Sequence, residues 1–357
     1  MTRILSLPCG MALPVLMIAA QTVAAAPTRG ERVAAATEVD AATRGNATAI
    51  DGASISLADG VTALPGLTYV TLRGYRPLTL DLYLPPKSFS GPRPVILFIH
   101  GGGWIYGNPR REAAYKDWPA TLGRIAAQGY VVAAVSYRLG SEAPFPAALR
   151  DLKAATRWLR ANAVSYSIDK DRFVTWGGSA GGQLSAMMAT TCGVAKFDPE
   201  TGTGFGASVA PPVPESDCVQ GAVAWFGAYD FTRPIGGPLP IERHPYFDCG
   251  ASPCPRDRLE DPSAAFYVDA NDPPVLLVHG AGDKSAPLSQ SQEFDAVLRA
   301  KGVKSRLEVI PQVDHGWIGT TPEMTRDASR RALAMSLDFV QDVIGDKDRD
   351  AGRGEGQ

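Results

Sequence analysis

The sequence predicts an α/β fold in which a mostly parallel sheet is covered by helices on both faces. Short apolar segments recur along the 357-residue chain, and stretches with helical periodicity separate the later ones. Apolar segments without alternation are typical of strands buried on both faces, and alternating strands and helices favour a parallel sheet. Eight strands are predicted, at Leu67–Arg73, Leu78–Leu84, Val95–Ile99, Val131–Ser136, Arg172–Trp176, Ala222–Phe226, Val275–Val278 and Ser305–Ile310.

The composition supports one folded domain, predicted for residues 61–345. Hydrophobic residues make up 45% of the chain, which is enough for a large core, and α/β domains of this length commonly stay undivided. Between Pro146 and Ala163, apolar positions recur at helical spacing with basic residues between them. The apolar-face positions are Leu149, Leu152, Thr156 and Leu159, and the basic residues are Arg150, Lys153, Arg157 and Arg160. The net charge of -2 gives no indication of nucleic-acid binding.

The segment Arg172–Met188 has the pattern of a nucleophile elbow. A short apolar strand leads into Gly177-Gly-Ser179-Ala-Gly181, and a helix of small residues follows. This pattern needs its glycines because the strand and the helix approach closely, and the tight turn exposes the serine hydroxyl above the sheet. A dinucleotide fingerprint would need glycine in place of Ser179, and the chain has no Gly-x-x-x-x-Gly-Lys-Ser/Thr phosphate loop. Ser179 is therefore predicted to be a catalytic nucleophile.

A second motif lies upstream, where the predicted strand Val95–Ile99 runs into His-Gly-Gly-Gly-Trp at residues 100–104. Glycines after a strand let backbone N–H groups face a ligand oxygen, as an oxyanion hole requires. We expect the N–H groups of Gly102, Gly103 and Ala180 to form this hole. A plain glycine turn is the alternative. The position of the motif, one strand-helix-strand unit ahead of the elbow, favours the oxyanion hole.

A nucleophilic serine needs a histidine base and a carboxylate that orients the base. Of the four histidines in the chain, His315 is predicted to be the base because it lies in a loop directly after the last predicted strand. His100 opens the glycine turn, and His244 lies in a proline-rich loop ahead of any candidate acid. His279 ends a buried strand, where a packed and hydrogen-bonded residue is expected.

The acid is predicted to be Asp283, which follows Gly-Ala-Gly at the carboxyl end of the preceding strand. The resulting chain order, Ser179, Asp283 and His315, is the one found in folds with this kind of elbow. Asp314 is the competitor. Adjacent residues in a loop rarely aim their side chains at each other, so Asp314 is expected to be solvated or to cap the loop.

Taken together, these motifs resemble those of the bacterial hormone-sensitive-lipase-related esterases, and the chain is most similar to their feruloyl-esterase-like (BD-FAE-like) branch. The similarity extends from about Leu67 to Val343. It rests on His-Gly-Gly-Gly-Trp (100–104), Gly-Gly-Ser-Ala-Gly-Gly (177–182), Tyr137-Arg138-Leu139 followed by Ala143-Pro-Phe-Pro146, and the late Asp and His. One departure is Gly178, because the residue before the nucleophile is commonly acidic in these families.

The resemblance implies an α/β-hydrolase fold with an eight-stranded sheet and no large cap domain. It implies a serine carboxylesterase without a metal or organic cofactor, acting on short-chain acyl or hydroxycinnamoyl (feruloyl-type) esters, either small molecules or esters linked to a polysaccharide. Two alternatives stay open: a serine peptidase of the same fold, which would usually carry an additional large domain, and a non-catalytic binding module. Fold and triad do not choose among ester substrates, and the oligomeric state is not readable.

The amino terminus has the pattern of a secretory signal. Arg3 precedes an apolar run and then small residues through Ala26, so a signal peptide is predicted for residues 1–25 and an exported, periplasmic or secreted protein. A membrane anchor is the alternative, but the run is short and broken by prolines, so no stable membrane insertion of the mature chain is expected. Residues 26–60 are predicted to be a flexible leader and residues 346–357 a disordered tail.

Four cysteines remain after removal of the predicted signal, and their spacing matches no zinc motif. Export favours disulfides over buried thiols. Proximity in sequence favours Cys192 with Cys218 and Cys249 with Cys254. The first bond would close an irregular Gly/Pro-rich segment, for a stabilisation of about 3 kcal/mol.

Aromatic residues after strand ends predict the substrate pocket, because loops at these positions carry function. Trp104 follows the oxyanion glycines and Trp317 follows the candidate base. Tyr229, with Phe226 and Phe231, lies at or just past the strand after the nucleophile helix. Trp104, Trp317 and Tyr229 are predicted to bind substrate, whereas core packing is an equal alternative for the two phenylalanines.

Overall fold

A computed structural model describes residues 54–201, 203–210, 213–236, 240–250 and 252–345. The predicted signal peptide, all but the last residues of the predicted leader, and the predicted tail lie outside these residues. In the described part of the chain, no helix combines the length and the apolar character that crossing a membrane requires.

The described residues form a nine-stranded sheet with the order β1-β2-β3-β5-β4-β6-β7-β8-β9. The pairs from β5 through β4 to β9 are parallel, and β1, β2 and β3 are antiparallel to their neighbours. The predicted mostly parallel sheet is thus confirmed. The strands are β1 Ile55–Ser56, β2 Thr62–Val70, β3 Leu78–Leu84, β4 Arg93–Ile99, β5 Val131–Val135, β6 Ile168–Gly178, β7 Gly221–Trp225, β8 Val275–Gly280 and β9 Ser305–Ile310.

The sheet has one strand more than predicted. The additional strand, β1, pairs with the start of β2 through Ile55 and Ser56. These two residues lie within residues 26–60, the segment predicted as flexible leader. A strand of two residues carries no visible alternation, so it could not be predicted from the pattern of apolar residues.

Helices cover both faces of the sheet. The helices are α1 Trp118–Ala126, α2 Ala147–Ala161, α3 Ala163–Tyr166, α4 Ala180–Thr190, α5 Arg256–Glu260, α6 Leu288–Ala300 and α7 Pro322–Ile344. Buried side chains of α2, α4 and α6 form one apolar core with one face of the sheet. Those of α1 and α7 form a second core on the other face. The carboxyl ends of the parallel strands lie at one edge of this covered sheet, and the loops that follow these strands meet there.

The cysteines pair as proximity in sequence suggested. Cys192 and Cys218 are joined with their Cα atoms 4.8 Å apart, and Cys249 and Cys254 with theirs 4.9 Å apart. Both separations lie in the range that a disulfide allows. Each bond closes an irregular segment of the chain.

Candidate active site

Ser179 lies at the sharp turn between β6 and α4. Its backbone has φ of 56° and ψ of -118°, a strained conformation for a residue with a side chain. The turn is held because the Ser179 N–H donates to the carbonyl oxygen of Trp225 at 2.9 Å. A Cβ atom added to Gly181 would be only 2.0 Å from the carbonyl oxygen of Ile99. The predicted glycine pattern therefore has the expected cause, which is close approach of α4 to β4.

The structure brings Ser179, His315 and Asp283 into one hydrogen-bonded chain. His315 Nε2 lies 2.9 Å from Ser179 Oγ, and His315 Nδ1 lies 2.8 Å from Asp283 Oδ2. Asp283 follows β8 and His315 follows β9, so adjacent parallel strands deliver both residues to the same edge of the sheet. Since an ionised carboxylate only accepts, Nδ1 carries the proton and donates to Asp283, which leaves Nε2 free to accept from the serine hydroxyl.

Asp283 is ionised by its surroundings. Its side chain is fully buried, and burial alone would raise the pKa of the carboxyl group. The ring of His279, whose Nε2 lies 3.4 Å from Oδ2, the hydrogen bond and positive charge of a protonated His315, and the Ala286 N–H together hold that pKa well below its usual range. Oδ1 accepts from the N–H groups of Ser285 and Ala286, each at 2.8 Å. This network fixes the carboxylate in place and keeps it negative.

The two competing residues have structural roles. His279 is fully buried, with Nδ1 2.7 Å from Ser291 Oγ and Nε2 2.9 Å from the carbonyl oxygen of Ala286. Oδ1 of Asp314 accepts from the N–H groups of His315 at 2.7 Å and Lys284 at 2.9 Å. Asp314 therefore caps the loop that carries the histidine, as its position beside His315 suggested.

The glycine loop after β4 lies against the elbow. A Cβ atom added to Gly101 would be 3.5 Å from Cβ of Ser179, and Gly103 lines the same cavity as Ser179. The backbone hydrogen bonds of the described residues do not use the N–H groups of Gly102, Gly103 or Ala180. These are the three donors that the sequence predicted for an oxyanion hole.

A cavity of about 150 Å³ opens at Ser179 and His315. It is smaller than the roughly 300–1,000 Å³ of pockets that enclose drug-sized ligands. Its walls are mostly apolar and include Gly103, Trp104, Tyr106, Phe226, Ala228, Ile235, Ile241, His244, Phe247 and Ala286. A larger open depression, about 490 Å³, lies at the amino ends of β8 and β9 and includes none of the three hydrogen-bonded residues.

Trp104 reaches this cavity, as predicted, but two other predicted substrate-binding residues do not. Trp317 is fully buried and packs edge-to-face on Trp225 and Phe226, with ring centroids 5.4 and 4.6 Å apart. Tyr229 is also fully buried, with its ring stacked on Phe294 at 4.6 Å. The prediction was wrong for both residues, because a position after a strand end does not decide whether a ring turns toward solvent or the core.

Among the phenylalanines, Phe226 lines the cavity and meets the His315 ring edge-to-face at 4.8 Å. Phe231 meets the Trp104 ring edge-to-face, with ring centroids 5.6 Å apart. Sequence reasoning missed Phe247 and His244 as cavity residues. They lie in an irregular stretch between β7 and β8, where no periodicity indicates which side chains face inward. In the sequence, the nearby pair Cys249 and Cys254, predicted to form a disulfide, was the signal that this stretch is ordered.

The chain is similar to esterases over most of its described length. It is 31% identical over 256 residues to esterase LipC of Mycobacterium tuberculosis, which covers 67% of this chain and 56% of LipC. It is 26% identical over 286 residues to the isoprenylcysteine alpha-carbonyl methylesterase ICME of Arabidopsis thaliana, covering 76% of this chain and 60% of that protein. The chain thus spans about half to three fifths of the length of these curated relatives.

Solved structures give the same result for the fold. A truncated carbohydrate esterase from gut microbiota superposes with a TM-score of 0.62 at 25% identity, covering 81% of this chain and 99% of that one. Esterase 2 of Thermogutta terrifontis superposes with a TM-score of 0.61 at 22% identity, covering 79% and 96%. The BD-FAE family matches residues 80–298, more than half of the chain. With this match and an elbow, base and acid in the order expected of the α/β-hydrolase fold, the chain belongs to the BD-FAE family of α/β-hydrolase esterases.

Proposed function

We propose that the protein is a serine carboxylesterase that works through an acyl-enzyme. The observation that carries this proposal is the hydrogen-bonded chain from Ser179 through His315 to Asp283 at the mouth of an apolar cavity. A nucleophile within hydrogen-bond reach of a base, which a third group orients, is the arrangement that nucleophilic catalysis needs.

In the proposed reaction, Ser179 Oγ attacks the ester carbonyl carbon while His315 Nε2 takes the hydroxyl proton. The N–H groups of Gly102, Gly103 and Ala180 bind the oxyanion that forms. When the intermediate collapses, His315 gives its proton to the leaving alcohol and the acyl group stays on Ser179. A water molecule, deprotonated by His315, then attacks the acyl carbon, the bond to Ser179 Oγ breaks, and His315 returns the proton to Oγ as the acid is released. The negative Asp283 stabilises the imidazolium in both steps.

Short acyl groups suit the cavity best. Its volume of about 150 Å³ and its apolar walls admit a small apolar acyl group beside Ser179. The aromatic residue with the largest exposed surface in these walls is Tyr106, which is 65% exposed. A hydroxycinnamoyl ring, the second acyl group that we consider, would lie against Tyr106, since Trp317 is buried. In either case the proposed substrates are small-molecule esters and esters linked to a polysaccharide.

Substitution of the three hydrogen-bonded residues tests the mechanism. Ser179→Ala and His315→Ala should each lower kcat by a factor of about 10⁴ or more while the protein stays folded. Asp283→Asn should lose a factor of about 10⁴, because the imidazole would be held in the wrong tautomer. The measurements are hydrolysis of nitrophenyl acetate and labelling of Ser179 by a fluorophosphonate probe.

Asp314→Asn is the matched control for Asp283→Asn and should keep most of the activity. If Asp314→Asn loses activity while Asp283→Asn keeps it, the assignment of the acid is wrong. A protein that takes up no fluorophosphonate and hydrolyses no ester is a binding module. Faster cleavage of peptide amides than of esters would favour the peptidase.

A panel of nitrophenyl esters tests the acyl preference. We expect kcat/KM to be highest between acetyl and butyryl and to fall beyond about eight carbons, because only buried methylenes contribute, at about 0.8 kcal/mol each. Methyl ferulate and acetylated xylan complete the panel. A value of kcat/KM that keeps rising to palmitoyl esters would contradict the proposed cavity.

We also infer export by a signal peptide in residues 1–25. The two cysteine pairs at disulfide distance support an oxidising compartment. Amino-terminal sequencing of protein recovered outside the cytoplasm, with cleavage expected near Ala24 or Ala25, tests this inference.

A further inference from the structure

An acidic side chain that the proposed mechanism does not use lies beside the nucleophile elbow. Glu112, in the loop between β4 and α1, is 5% exposed. The Gly101 N–H donates a hydrogen bond to its carboxyl group. No ion pair found among the described residues includes Glu112, and a buried carboxyl without a cation normally needs a structural or functional reason.

The carboxyl group of Glu112 occupies the space that a side chain at position 178 would fill. A Cβ atom added to Gly178 would be 2.2 Å from Oε1 of Glu112 and 2.9 Å from Cζ of Phe226. Both distances are too short for nonbonded atoms, whose optimum is about 3.5–4.0 Å. Glycine at position 178 and glutamate at position 112 therefore fit each other, and both border the residue that carries the nucleophile.

Glu112 also holds the loop that presents the oxyanion donors. The N–H of Gly101 is bound to Glu112, and the carbonyl oxygen of Gly101 lies 2.8 Å from Nδ1 of His100. That carbonyl belongs to the same planar peptide group as the N–H of Gly102. Hydrogen bonds on both peptide groups of Gly101 thus hold the backbone from which the Gly102 N–H projects, and Glu112 accepts one of them.

We propose that Glu112 is a positioning residue of the esterase site: it fills the space beside Gly178 and fixes Gly101, so that the oxyanion donors keep their distance from Ser179. This inference rests on the proposed function. Donors must lie about 2.7–3.1 Å from the developing oxyanion, and a displacement of about 1 Å can lower the rate 100-fold. The expected effect of losing Glu112 is therefore on kcat more than on KM.

The protonation state of Glu112 gives a readout that a purely structural role would not give. Burial raises the pKa of Glu112 to about 8, although the Gly101 hydrogen bond opposes this shift. A neutral carboxyl at pH 7 leaves the oxyanion site without a competing charge. Ionisation would place a buried negative charge next to Gly178 and Gly101, which adjoin the nucleophile and the oxyanion donor Gly102, so kcat should fall as the pH rises through about 8.

Three titratable groups near Glu112 do not change charge in that range. Burial raises the pKa of Tyr115, in the same loop, and of Tyr137, which follows β5. Burial lowers the pKa of His100, stacked on Tyr137, to about 4. His315 contacts the Phe226 ring at 4.8 Å. A pH effect that belongs to His315 would remain when Glu112 is replaced, which separates the two groups.

The test compares Glu112→Gln, Glu112→Ala and the control Glu293→Gln. Glu293 lies on α6, and its half-exposed carboxylate is 3.6 Å from Arg233. The readouts are kcat and KM for nitrophenyl acetate from pH 6 to pH 10, with thermal unfolding and fluorophosphonate titration to count folded sites. We expect Glu112→Gln to keep kcat within about threefold at pH 7 and to lose the decline near pH 8. Glu112→Ala should lower kcat about tenfold or more with little change in KM, and Glu293→Gln should match wild type.

Two results would overturn the inference. One is a Glu112→Gln enzyme whose activity still declines with the wild-type midpoint; the other is a Glu112→Ala enzyme with wild-type kcat per folded site. If Glu112→Ala does not fold, the pH profile of Glu112→Gln decides. Hydrolysis that survives in Ser179→Ala would instead remove the proposed function, so the two failures are distinguishable.

Discussion

Two segments that carry disulfide bonds differ in what they contact, although both lie between strands of the parallel half of the sheet. The large disulfide segment, residues 193–217, lies inside the Cys192–Cys218 bond and contributes no described residue to the cavity. The small disulfide segment, residues 240–254, ends in the Cys249–Cys254 bond and contributes Ile241, His244 and Phe247, which precede that bond. One segment is held against a helix by charges, and the other forms an aromatic wall of the site.

The basic residues of α2 hold the large disulfide segment. The buried amine of Lys153 donates to Asp217 Oδ1 at 2.7 Å, and Arg157 also pairs with Asp217 and with Asp198. Arg160 donates to the carbonyl oxygens of Ser216 and Cys218, each at 2.6 Å. The basic residues that lie between the apolar positions of α2 are therefore the residues that bind the large disulfide segment.

The small disulfide segment contacts the site through rings. Tyr246 stacks on Trp104 at 4.7 Å, and His244 and Phe247 meet the Trp104 ring edge-to-face at 5.7 and 5.9 Å. Offset and edge-to-face ring pairs need defined distances and angles between the rings, so they depend on the conformation of the loop that carries them. We infer that the Cys192–Cys218 bond stabilises the domain, whereas the Cys249–Cys254 bond anchors the end of the segment that shapes the acyl cavity.

Of the substitutions that compare the two segments, Cys192→Ser/Cys218→Ser is expected to cause the largest loss of stability. The bond closes a loop with a sequence separation of 26, so its loss should lower the free energy of unfolding by about 3.5 kcal/mol. Urea unfolding measures this loss. The ratio of kcat/KM for hexanoyl and acetyl esters should stay at the wild-type value, and a changed ratio would mean that the large segment also shapes the cavity.

A smaller stability effect, but a change in selectivity, is expected from Cys249→Ser/Cys254→Ser. The sequence separation is only 5, so the free energy of unfolding should fall by about 2 kcal/mol. Loosening the wall should change the hexanoyl-to-acetyl ratio of kcat/KM. The first double variant is the matched control. An unchanged ratio in this variant would show that the small disulfide segment, like the large one, does not shape the acyl cavity.

The smallest effect, confined to selectivity, is expected from Phe247→Leu. The shorter side chain enlarges the cavity while keeping most of the apolar contact, so stability should change by less than about 1.5 kcal/mol. Room for one more methylene should raise kcat/KM for longer esters about fourfold. Phe266→Leu, a half-exposed phenylalanine away from the cavity, is the control, and an equal gain there would contradict a role for Phe247.

The sequence predicted the parts of the site that backbone geometry constrains. Positions 177 and 181 of the elbow around Ser179 require glycine, so the sequence pattern identified the nucleophile. Strand order places Asp283 and His315 at the same edge of the sheet, so their positions identified the acid and the base. Trp317 was mispredicted because it lies in a 3₁₀ turn with its own φ at 70°, where its ring packs on Trp225 while His315 contacts Ser179. Glu112 and Phe247 were not identified because irregular loops carry no period.

The burial of Trp317 has a consequence for observation in solution. Trp118, Trp176, Trp225 and Trp317 are fully buried, and Trp225 contacts each of the other three rings. Phe226 joins this group to the imidazole of His315. An indole emits at longer wavelength in water than in an apolar core, so a change that exposes Trp317 together with the histidine loop should shift the emission to the red. Tryptophan fluorescence should therefore respond to disturbance of the active site.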